Sequence, residues 1–179
     1  MNTVSNDDDF QSFLLSLVSP TELAKQDWRR RTTNDYILSG ALSYAIAKNV
    51  DFKSTLTTSN TFDKNLRFYG PLTGESFNNG GSLPLGEKTN IELTSLRWLN
   101  TLSYKLEKSA AHKFDFLVGH EVYSNGGNYS FIRSEDFRAS ILPEELFANM
   151  TFGRMDRYET QEYTDANRVS AFGRANYQL

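Results

Sequence analysis

The sequence predicts an all-β protein in which antiparallel up-and-down strands form part of a transmembrane β-barrel, with long outer loops carrying short helices. Apolar and polar residues alternate with a period of two, over stretches as long as the ~9–11 residues that a tilted strand needs to cross a bilayer. Short and long connections also alternate along the chain. Outer-membrane barrels have this asymmetry because their turns are short on one side of the membrane and their loops are long on the other.

The composition agrees with a β protein and argues against several other classes. Among 179 residues, Lys+Arg total 19 and Asp+Glu total 22, so the net charge of -3 excludes the broad basic surface of a general nucleic-acid binder. Cysteine is absent, which excludes disulfide scaffolds, Cys-ligated zinc and thiol catalysis. Aromatic residues make up 13% of a chain whose mean hydropathy is only -0.53. Abundant aromatics without a continuous apolar run favour strands over membrane-spanning helices.

Residues 1–35 are predicted to be an outer-loop segment with short helices. The apolar residues of Phe10–Leu17 recur with the spacing of one helical face. The segment Ser19–Glu22 is a typical helix start, because a capping serine is followed by proline at the first helical position. This second helix is predicted to run to Trp28 or Arg29. The acidic start of the chain is unlike a secretory signal, which begins with basic residues.

Residues 36–179 are predicted to form the partial β-barrel. Between Tyr36 and Ile46, large apolar residues on one side alternate with small and polar residues on the other, and tyrosines near both ends resemble the aromatic girdles of outer-membrane barrels. The same alternation recurs four times further along the chain. Strands are therefore predicted near 36–46, 50–62, 93–106, 112–123 and 167–177. Long loops are predicted at 63–92 and 124–166, the second with a helix near Pro143–Phe147.

Four stretches of this part resemble strands of a known family. The segment Tyr36–Thr55 resembles a barrel hairpin of the TonB-dependent outer-membrane transporters of the SusC/RagA type. Trp98–Tyr104 resembles that family's N-T-L-x-Y strand, and Ala111–Glu121 resembles its H-x-h-x-h-h-x-G-x-E strand, where h is apolar. Arg168–Tyr177 resembles its S-x-F-G-R-x-N-Y strand. The four stretches occur in the family's order and cover the chain from about residue 36 to its end.

The resemblance implies a part of an active importer in the cell outer membrane, which takes up large nutrients, oligosaccharides or peptides, with energy supplied by TonB. It also implies the partners of the complete protein, namely a SusD-like surface lipoprotein, the TonB complex and outer-membrane lipid. A barrel of about 22 strands cannot close from five. The sequence contains no recognisable signal, plug domain or TonB-contacting segment, so we expect the chain to be a fragment of such a transporter.

The residue pattern predicts neither catalytic chemistry nor a cofactor. His112 and His120 are eight residues apart on one predicted strand, roughly 26 Å if extended, so they cannot share a metal ion. Glu144 and Glu145 directly follow Pro143, where carboxylates stabilise the first turn of a helix. That position explains them better than pairing for glycoside hydrolysis does. We therefore expect that the chain is not an enzyme.

Two groups of residues are candidates for contact with a substrate, although the sequence assigns a binding role to none of them. By parity, one group of charged residues faces the lumen of the predicted barrel: Asp51, Lys53, Arg97, Lys105, Asp115, Arg168 and Arg174. A second group consists of aromatic residues in the predicted loops: Phe68, Tyr69, Tyr129 and Phe131. The alternative for the first group is pairing among themselves or with a plug, and for the second it is packing within the loops.

A second function remains open from the sequence alone. The same strands and loops fit a soluble all-β module that binds glycans through its long loops. Such a module would need two apolar strand faces packed together. A soluble sandwich and a membrane barrel are therefore distinguished by whether the apolar faces are covered by protein.

Overall fold

The computed structural model describes residues 19–78, 81–109 and 112–178, which form five long strands and a few short helices. The strands are β1 (Asp27–Ala47), β2 (Val50–Tyr69), β3 (Leu85–Ser109), β4 (His112–Glu135) and β5 (Arg154–Gln178). All five belong to one sheet in the order β1-β2-β3-β4-β5, so each strand pairs with its neighbours in sequence. The predicted all-β, antiparallel up-and-down fold is therefore confirmed.

Within the described ranges, three short α-helices accompany the strands: α1 (Pro20–Gln26), α2 (Gly74–Asn78) and α3 (Pro143–Ala148), the last followed by a 3₁₀-helix at Met150–Phe152. Both helices predicted within this part of the chain, α1 and α3, are present. The predicted helix over Phe10–Leu17 lies outside the described residues. No helix in the described residues is long and apolar enough to cross a membrane.

Helix α1 begins as predicted and ends earlier. The Ser19 side chain caps it by accepting a hydrogen bond from the Thr21 backbone N–H at 3.3 Å. The prediction that the helix reaches Trp28 or Arg29 is wrong, because its last residue is Gln26. The Gln26 carbonyl accepts a 2.7 Å hydrogen bond from the Gly70 N–H, so the chain at this point already follows the end of β2.

The strands also extend beyond the predicted stretches. β1 begins within the segment predicted as outer loop, and the long connections narrow to 70–84 and 136–153. The extensions contain little apolar alternation, and polar and ionic side-chain contacts join their strands. Arg31 on β1 binds Asp63 on β2 at 3.1 Å and holds the pKa of that carboxyl below its usual value. Hydrophobic periodicity cannot detect a strand of this kind.

The described chain divides into two units. The first, which we call the long-connection unit, comprises the chain up to Thr33 together with Asp63–Ile91 and Tyr129–Gln161. The second, the short-turn unit, comprises Asn34–Phe62, Glu92–Asn128 and the chain from Glu162 onward. Each strand contributes residues to both units.

The long-connection unit contains a small hydrophobic core. Four buried side chains form it, and three partly buried ones pack against it: Phe68, Phe137, Ile141 and Leu146, then Trp28, Phe147 and Met150. The Trp28 and Phe147 ring centroids are 5.8 Å apart. Gly86 lets Leu146 approach β3 closely, because a Cβ added at Gly86 would lie 2.3 Å from the Leu146 Cδ2 atom and the leucine side chain would have to shift. The connection that carries α3 is thus anchored to β3.

Truncating Leu146 is expected to destabilise this unit. The side chain is 0% exposed, so Leu146→Ala should lower the free energy of unfolding by about 2–5 kcal/mol through lost burial and a residual cavity. The matched control is Leu142→Ala in the same connection, where the side chain is 64% exposed and the expected change is within about 0.5 kcal/mol. Urea unfolding followed by Trp28 fluorescence, in a Trp98→Phe background, measures both. Equal losses would contradict the core assignment.

Candidate functional site

The short-turn unit has one face on which the large apolar residues lie together, which we call the apolar face. Contacts between neighbouring strands establish it. The Tyr36 ring on β1 meets the Phe62 ring on β2 edge-on at 6.1 Å. The Trp98 Nε1–H on β3 donates a 2.9 Å hydrogen bond to the Ser54 hydroxyl on β2. These residues have the parity that the sequence predicts for the apolar side.

A continuous row of aromatic rings crosses β3, β4 and β5 on the same face, near the ends of β3 and β5 and the start of β4. Tyr104 stacks with Phe116 at 6.4 Å, and Phe116 stacks with Phe114 at 6.3 Å. Phe114 in turn lies 4.7 Å from Tyr177 on β5. The Tyr177 hydroxyl is 2.7 Å from His112 Nδ1, which gives the row a polar end.

The apolar face is exposed rather than packed against another part of the described chain. Exposed side chains on it include Tyr36, Leu38, Leu42, Tyr44, Ile46, Leu56, Phe62, Leu96, Trp98, Leu102, Tyr104, Phe116, Val118, Val169 and Tyr177. An apolar surface of this continuity marks a site of contact with a membrane or with another protein. Because all five described strands belong to one sheet, no second sheet of these residues is available to form a sandwich over it.

The opposite side of the short-turn unit, the polar face, is lined by hydroxyl pairs. The Ser39 and Thr57 hydroxyls are 2.9 Å apart across β1 and β2, and those of Ser59 and Ser95 are 2.7 Å apart across β2 and β3. Such cross-strand pairs satisfy the side-chain hydrogen bonds within the sheet. The face can therefore contact water or a polar ligand without leaving these groups unpaired.

A charged cluster lies on the polar face across β3, β4 and β5. Arg97 donates to the Glu121 carboxylate through Nε at 2.9 Å, and the Arg168 guanidinium is 3.7 Å from the same carboxylate. The Arg168 guanidinium also lies 5.4 Å from the centre of the Tyr123 ring. Two guanidiniums share one carboxylate, so the cluster has a surplus positive charge. Both arginines remain more than half exposed, which leaves this charge available to an anionic group.

The structure thus brings together Arg97 and Arg168 from the predicted lumen-facing group. The remaining members lie elsewhere on exposed positions: Asp51, Lys53, Lys105, Asp115 and Arg174. Within the described part of the chain, none of these five side chains forms an ion pair. Arg97 and Arg168 pair with Glu121, which lies outside the predicted group, so this contact is neither pairing among the seven residues nor pairing with a plug.

The aromatic residues predicted in the loops have different environments. Phe68 and Tyr69 are buried, so they pack within the fold. The Arg67 guanidinium covers the Tyr69 ring at 4.4 Å, and burial together with the nearby Glu87 raises the pKa of Tyr69 to about 12. Phe131 lies under the Arg157 guanidinium at 5.5 Å.

Tyr129, the fourth of these aromatics, lines an open cleft in the long-connection unit. The other lining residues come from β5: Tyr158, Glu159, Thr160 and Gln161. Two tyrosine rings beside carboxylate, hydroxyl and amide groups can stack on and hydrogen-bond to a sugar or a peptide.

The long-connection unit also contains an ionic cluster centred on Arg133 that sequence reasoning missed. The Arg133 side chain is 14% exposed and lies 3.1 Å from Glu75, 3.2 Å from Glu87 and 3.2 Å from Asp156. The three carboxylates come from α2, β3 and β5, so no local spacing in the sequence connects them. Among residues 19–78, 81–109 and 112–178 no group of three His, Cys, Asp or Glu side chains is arranged to hold a metal ion.

Comparisons with known proteins identify a similar fold and no close relative. No family model matches the sequence, and no curated protein is significantly similar to it. A structure of the RagAB peptide transporter matches with a TM-score of 0.72 and 17% identity, over 90% of this chain and 18% of that chain. The RagAB peptide importer matches in its closed-closed state with a TM-score of 0.71 and in its open-open state with 0.72, both at 17% identity. In these two cases, the match covers 90% of this chain and 17% of the other.

These matches show a shared fold. The chain spans less than a fifth of the length of the proteins it resembles, and over that length it has the same strand architecture. The predicted partial barrel-like arrangement is therefore confirmed as a fold. At 17% identity these matches show the fold alone, so the resemblance of the sequence motifs to the SusC/RagA type stays a prediction.

Removing the positive charge of Arg133 is expected to destabilise the long-connection unit. Arg133→Gln leaves Glu75, Glu87 and Asp156 facing one another, so the free energy of unfolding should fall by about 1–3 kcal/mol. The control is Arg138→Gln, whose side chain is 62% exposed and pairs with Glu145, with an expected loss of about 0–1 kcal/mol. Urea unfolding followed by Trp28 fluorescence compares them. A loss no larger than that of the control would show that the cluster contributes little.

Proposed function

We propose that the chain forms part of the barrel wall of an outer-membrane transporter of the SusC/RagA type. The apolar face of the short-turn unit would lie against lipid, and its polar face would line the transport path. The observation that carries this proposal is the exposed apolar face across neighbouring strands, backed by a polar face. Lipid-facing barrel strands alternate in this way because one side contacts hydrocarbon and the other contacts water.

The lengths of the strands support a membrane location. β1 to β5 contain 20 to 25 residues each, whereas a tilted strand needs about 9–11 to cross the hydrocarbon core. The apolar face occupies the short-turn part of each strand, and the ionic contacts of Arg31 and Arg133 lie in the other part. This division is expected for strands that leave the bilayer and continue as an extracellular structure.

The cargo and partners follow from the resemblance of the motifs, with support from the fold shared with the RagAB peptide transporter. The complete protein would import oligosaccharides or peptides, using energy from TonB and a SusD-like surface lipoprotein. The complete protein would transport the cargo without catalysing a reaction and without using a cofactor. The surplus positive charge of the cluster of Arg97, Glu121 and Arg168 suits an anionic group of the cargo, such as a peptide carboxylate. The cleft lined by Tyr129 and Tyr158 suits the sugar rings of an oligosaccharide cargo or the side chains of a peptide cargo.

The membrane location can be tested with the two tryptophans of the chain. Trp98 lies on the apolar face and is 46% exposed, while Trp28 packs against Phe147 in the long-connection unit. In phosphatidylcholine vesicles with brominated acyl chains, the Trp28→Phe variant should lose most of its fluorescence, because Trp98 contacts lipid. The Trp98→Phe variant reports on Trp28 and should be quenched little. If Trp98 were not quenched more than Trp28, the proposal would fail.

A charge on the apolar face should oppose insertion. Leu42 is 68% exposed in the middle of the apolar side of β1, so Leu42→Arg in the intact barrel of the complete protein is expected to cost about 2–4 kcal/mol of folding free energy in the bilayer. Ala41→Arg, one residue away on the polar face, should change it by less than about 1 kcal/mol. Urea unfolding from vesicles measures both. Equal effects would show that the facing assignment is wrong, and a soluble glycan-binding module would then become the better explanation.

A further inference from the structure

Three basic residues on neighbouring strands lie on one side of the long-connection unit, and we call them the cationic patch: Arg30 on β1, Lys64 on β2 and Lys88 on β3. Each directly adjoins a residue whose contacts identify the other side of the sheet. Arg31 binds Asp63 at 3.1 Å, and the Tyr69 hydroxyl, on the Asp63 side of β2, lies 3.5 Å from Glu87. Successive residues of a strand point to opposite faces, so the three basic side chains share the face opposite to these contacts.

The pairing of β1 with β2 brings Arg30 close to Lys64. The Thr33 hydroxyl on β1 donates a 3.2 Å hydrogen bond to Asp63 on β2, so these two residues lie opposite each other. In this antiparallel pair, residue 32 then lies opposite Lys64, and Arg30 lies diagonal to it. Diagonal neighbours in a sheet have Cβ atoms about 7–8 Å apart, within reach of long side chains.

The pairing of β2 with β3 places Lys88 equally close to Lys64. The Thr94 hydroxyl donates a 3.0 Å hydrogen bond to the Asn60 side chain across these strands. Lys64 follows Asn60 by four residues and Asn90 precedes Thr94 by four, so Lys64 lies opposite Asn90 and diagonal to Lys88. Lys64 is therefore a close neighbour of both other cations, and the three side chains can reach one ligand.

The cationic patch has no ion-pair partner among the residues that the structure describes. The arginines of the opposite face do have partners, since Arg67 lies 3.8 Å from Asp27 and Arg133 lies near three carboxylates. Within four residues of each cation along its strand, the one acidic residue with the same parity is Glu92. Like charges at neighbouring cross-strand positions repel, so an external anion bound here would remove an unfavourable interaction.

The cationic patch begins where the apolar face ends along β2. Phe62 is the last residue of the apolar face on this strand, and Lys64 is the next residue of the same parity, about 7 Å further on. In the membrane location proposed above, a residue that directly follows the last hydrocarbon-facing ring lies at the level of the lipid headgroups. Basic side chains at this level extend their charged ends toward lipid phosphates.

We propose that the cationic patch binds the phosphate of an anionic lipid at the long-connection side of the membrane, an inference that rests on the proposed membrane location. Arg30 can hold a phosphate through two parallel N–H donors, and Lys64 and Lys88 add compact positive charges. The whole chain has a net charge of -3, so a general attraction to an anionic membrane is not expected. The binding depends on the local arrangement of the three cations.

The position of the cationic patch favours a lipid over a soluble phosphate as the occupant. The side chains of Arg30 and Lys64 are exposed, and ion pairs at exposed positions are weak when both partners come from solution. The phosphate of a lipid is held at the headgroup level by its acyl chains, so its local concentration beside the patch is high.

Quenching by brominated lipids tests the site with a tryptophan placed beside it. In a chain with Trp28→Phe and Trp98→Phe, Phe62→Trp supplies one reporter two residues from Lys64. Tyr44→Trp in the same background is the matched control, because Tyr44 is exposed near the other end of the apolar face. The vesicles are phosphatidylcholine with a minor fraction of brominated lipid, either phosphatidylcholine or phosphatidylglycerol. Brominated phosphatidylglycerol should quench the Phe62→Trp reporter about threefold more than brominated phosphatidylcholine, and the Tyr44→Trp reporter equally.

Two charge variants with the Phe62→Trp reporter separate the site from general electrostatic attraction. The patch variant replaces all three cations: Arg30→Gln, Lys64→Gln and Lys88→Gln. The control variant removes the same charge from exposed positions of the polar face: Lys53→Gln, Lys105→Gln and Arg174→Gln. The patch variant should lose the preference for phosphatidylglycerol, and the control variant should keep it.

Quenching by brominated phosphatidylcholine reports the membrane location separately. If both reporters are quenched but the Phe62→Trp reporter shows no preference, or if the two charge variants behave alike, the lipid site is overturned while the membrane location stands. If millimolar inorganic phosphate abolishes the preference and chloride at the same ionic strength does not, the site takes free phosphate and the lipid proposal is overturned. If neither reporter is quenched by either lipid, the lipid site and the membrane location are both overturned.

Discussion

The structure depends on one constraint: the apolar face of the short-turn unit must be covered by an apolar medium or by another apolar surface. A strand points successive side chains to opposite faces, so the alternation in β1 and its neighbours places leucines and aromatic rings on one surface. In water, that surface would have to pack against a second apolar layer. The described strands form one sheet, and their leucines, such as Leu38 and Leu42, remain exposed. Hydrocarbon satisfies this constraint directly. Backbone pairing satisfies the polar groups of β2, β3 and β4, whereas β1 and β5 are edge strands of the described sheet, whose outer backbone groups would pair with further strands in a complete barrel.

The long-connection unit is stabilised differently, because polar and charged side chains, which water can solvate, join its strands. Its small core forms around Phe137 and Leu146, and its strands are joined by ion pairs such as that of Arg31 with Asp63. Arg133 gathers carboxylates from three separate elements. Where water still reaches one partner, as at Arg31, the cost of desolvating the charges is small. The same strands therefore depend on a cover for their apolar face in the short-turn unit, and on a small core and ionic contacts in the long-connection unit.

How much of the fold could be predicted from the sequence depends on whether a segment has an apolar face or is joined by ionic contacts. The five stretches with a period of two lie within the five strands, because apolar alternation is visible residue by residue. The strand extensions were missed, since Arg31 and Asp63 carry no apolar signal and their pairing depends on register between strands. The cluster of Arg133 was missed for the same reason. Phe68 and Tyr69 were candidates for ligand stacking, and only the packing of α3 and Arg67 around them shows that they are buried.

On the polar face, the alternation of residues predicts which side of the sheet a side chain lies on, but not which side chain it contacts. Arg97, Glu121 and Arg168 share a face by parity, so the sequence could place them on one side of the sheet. Their contact requires the register of β3 against β4 and of β4 against β5, which backbone pairing supplies. The same parity places polar residues on the apolar side, such as Ser54 and Asn60 of β2, and there Ser54 accepts a hydrogen bond from Trp98 and Asn60 accepts one from Thr94. Alternation therefore predicts the face on which a residue lies, and only the register between strands decides which side chain it contacts.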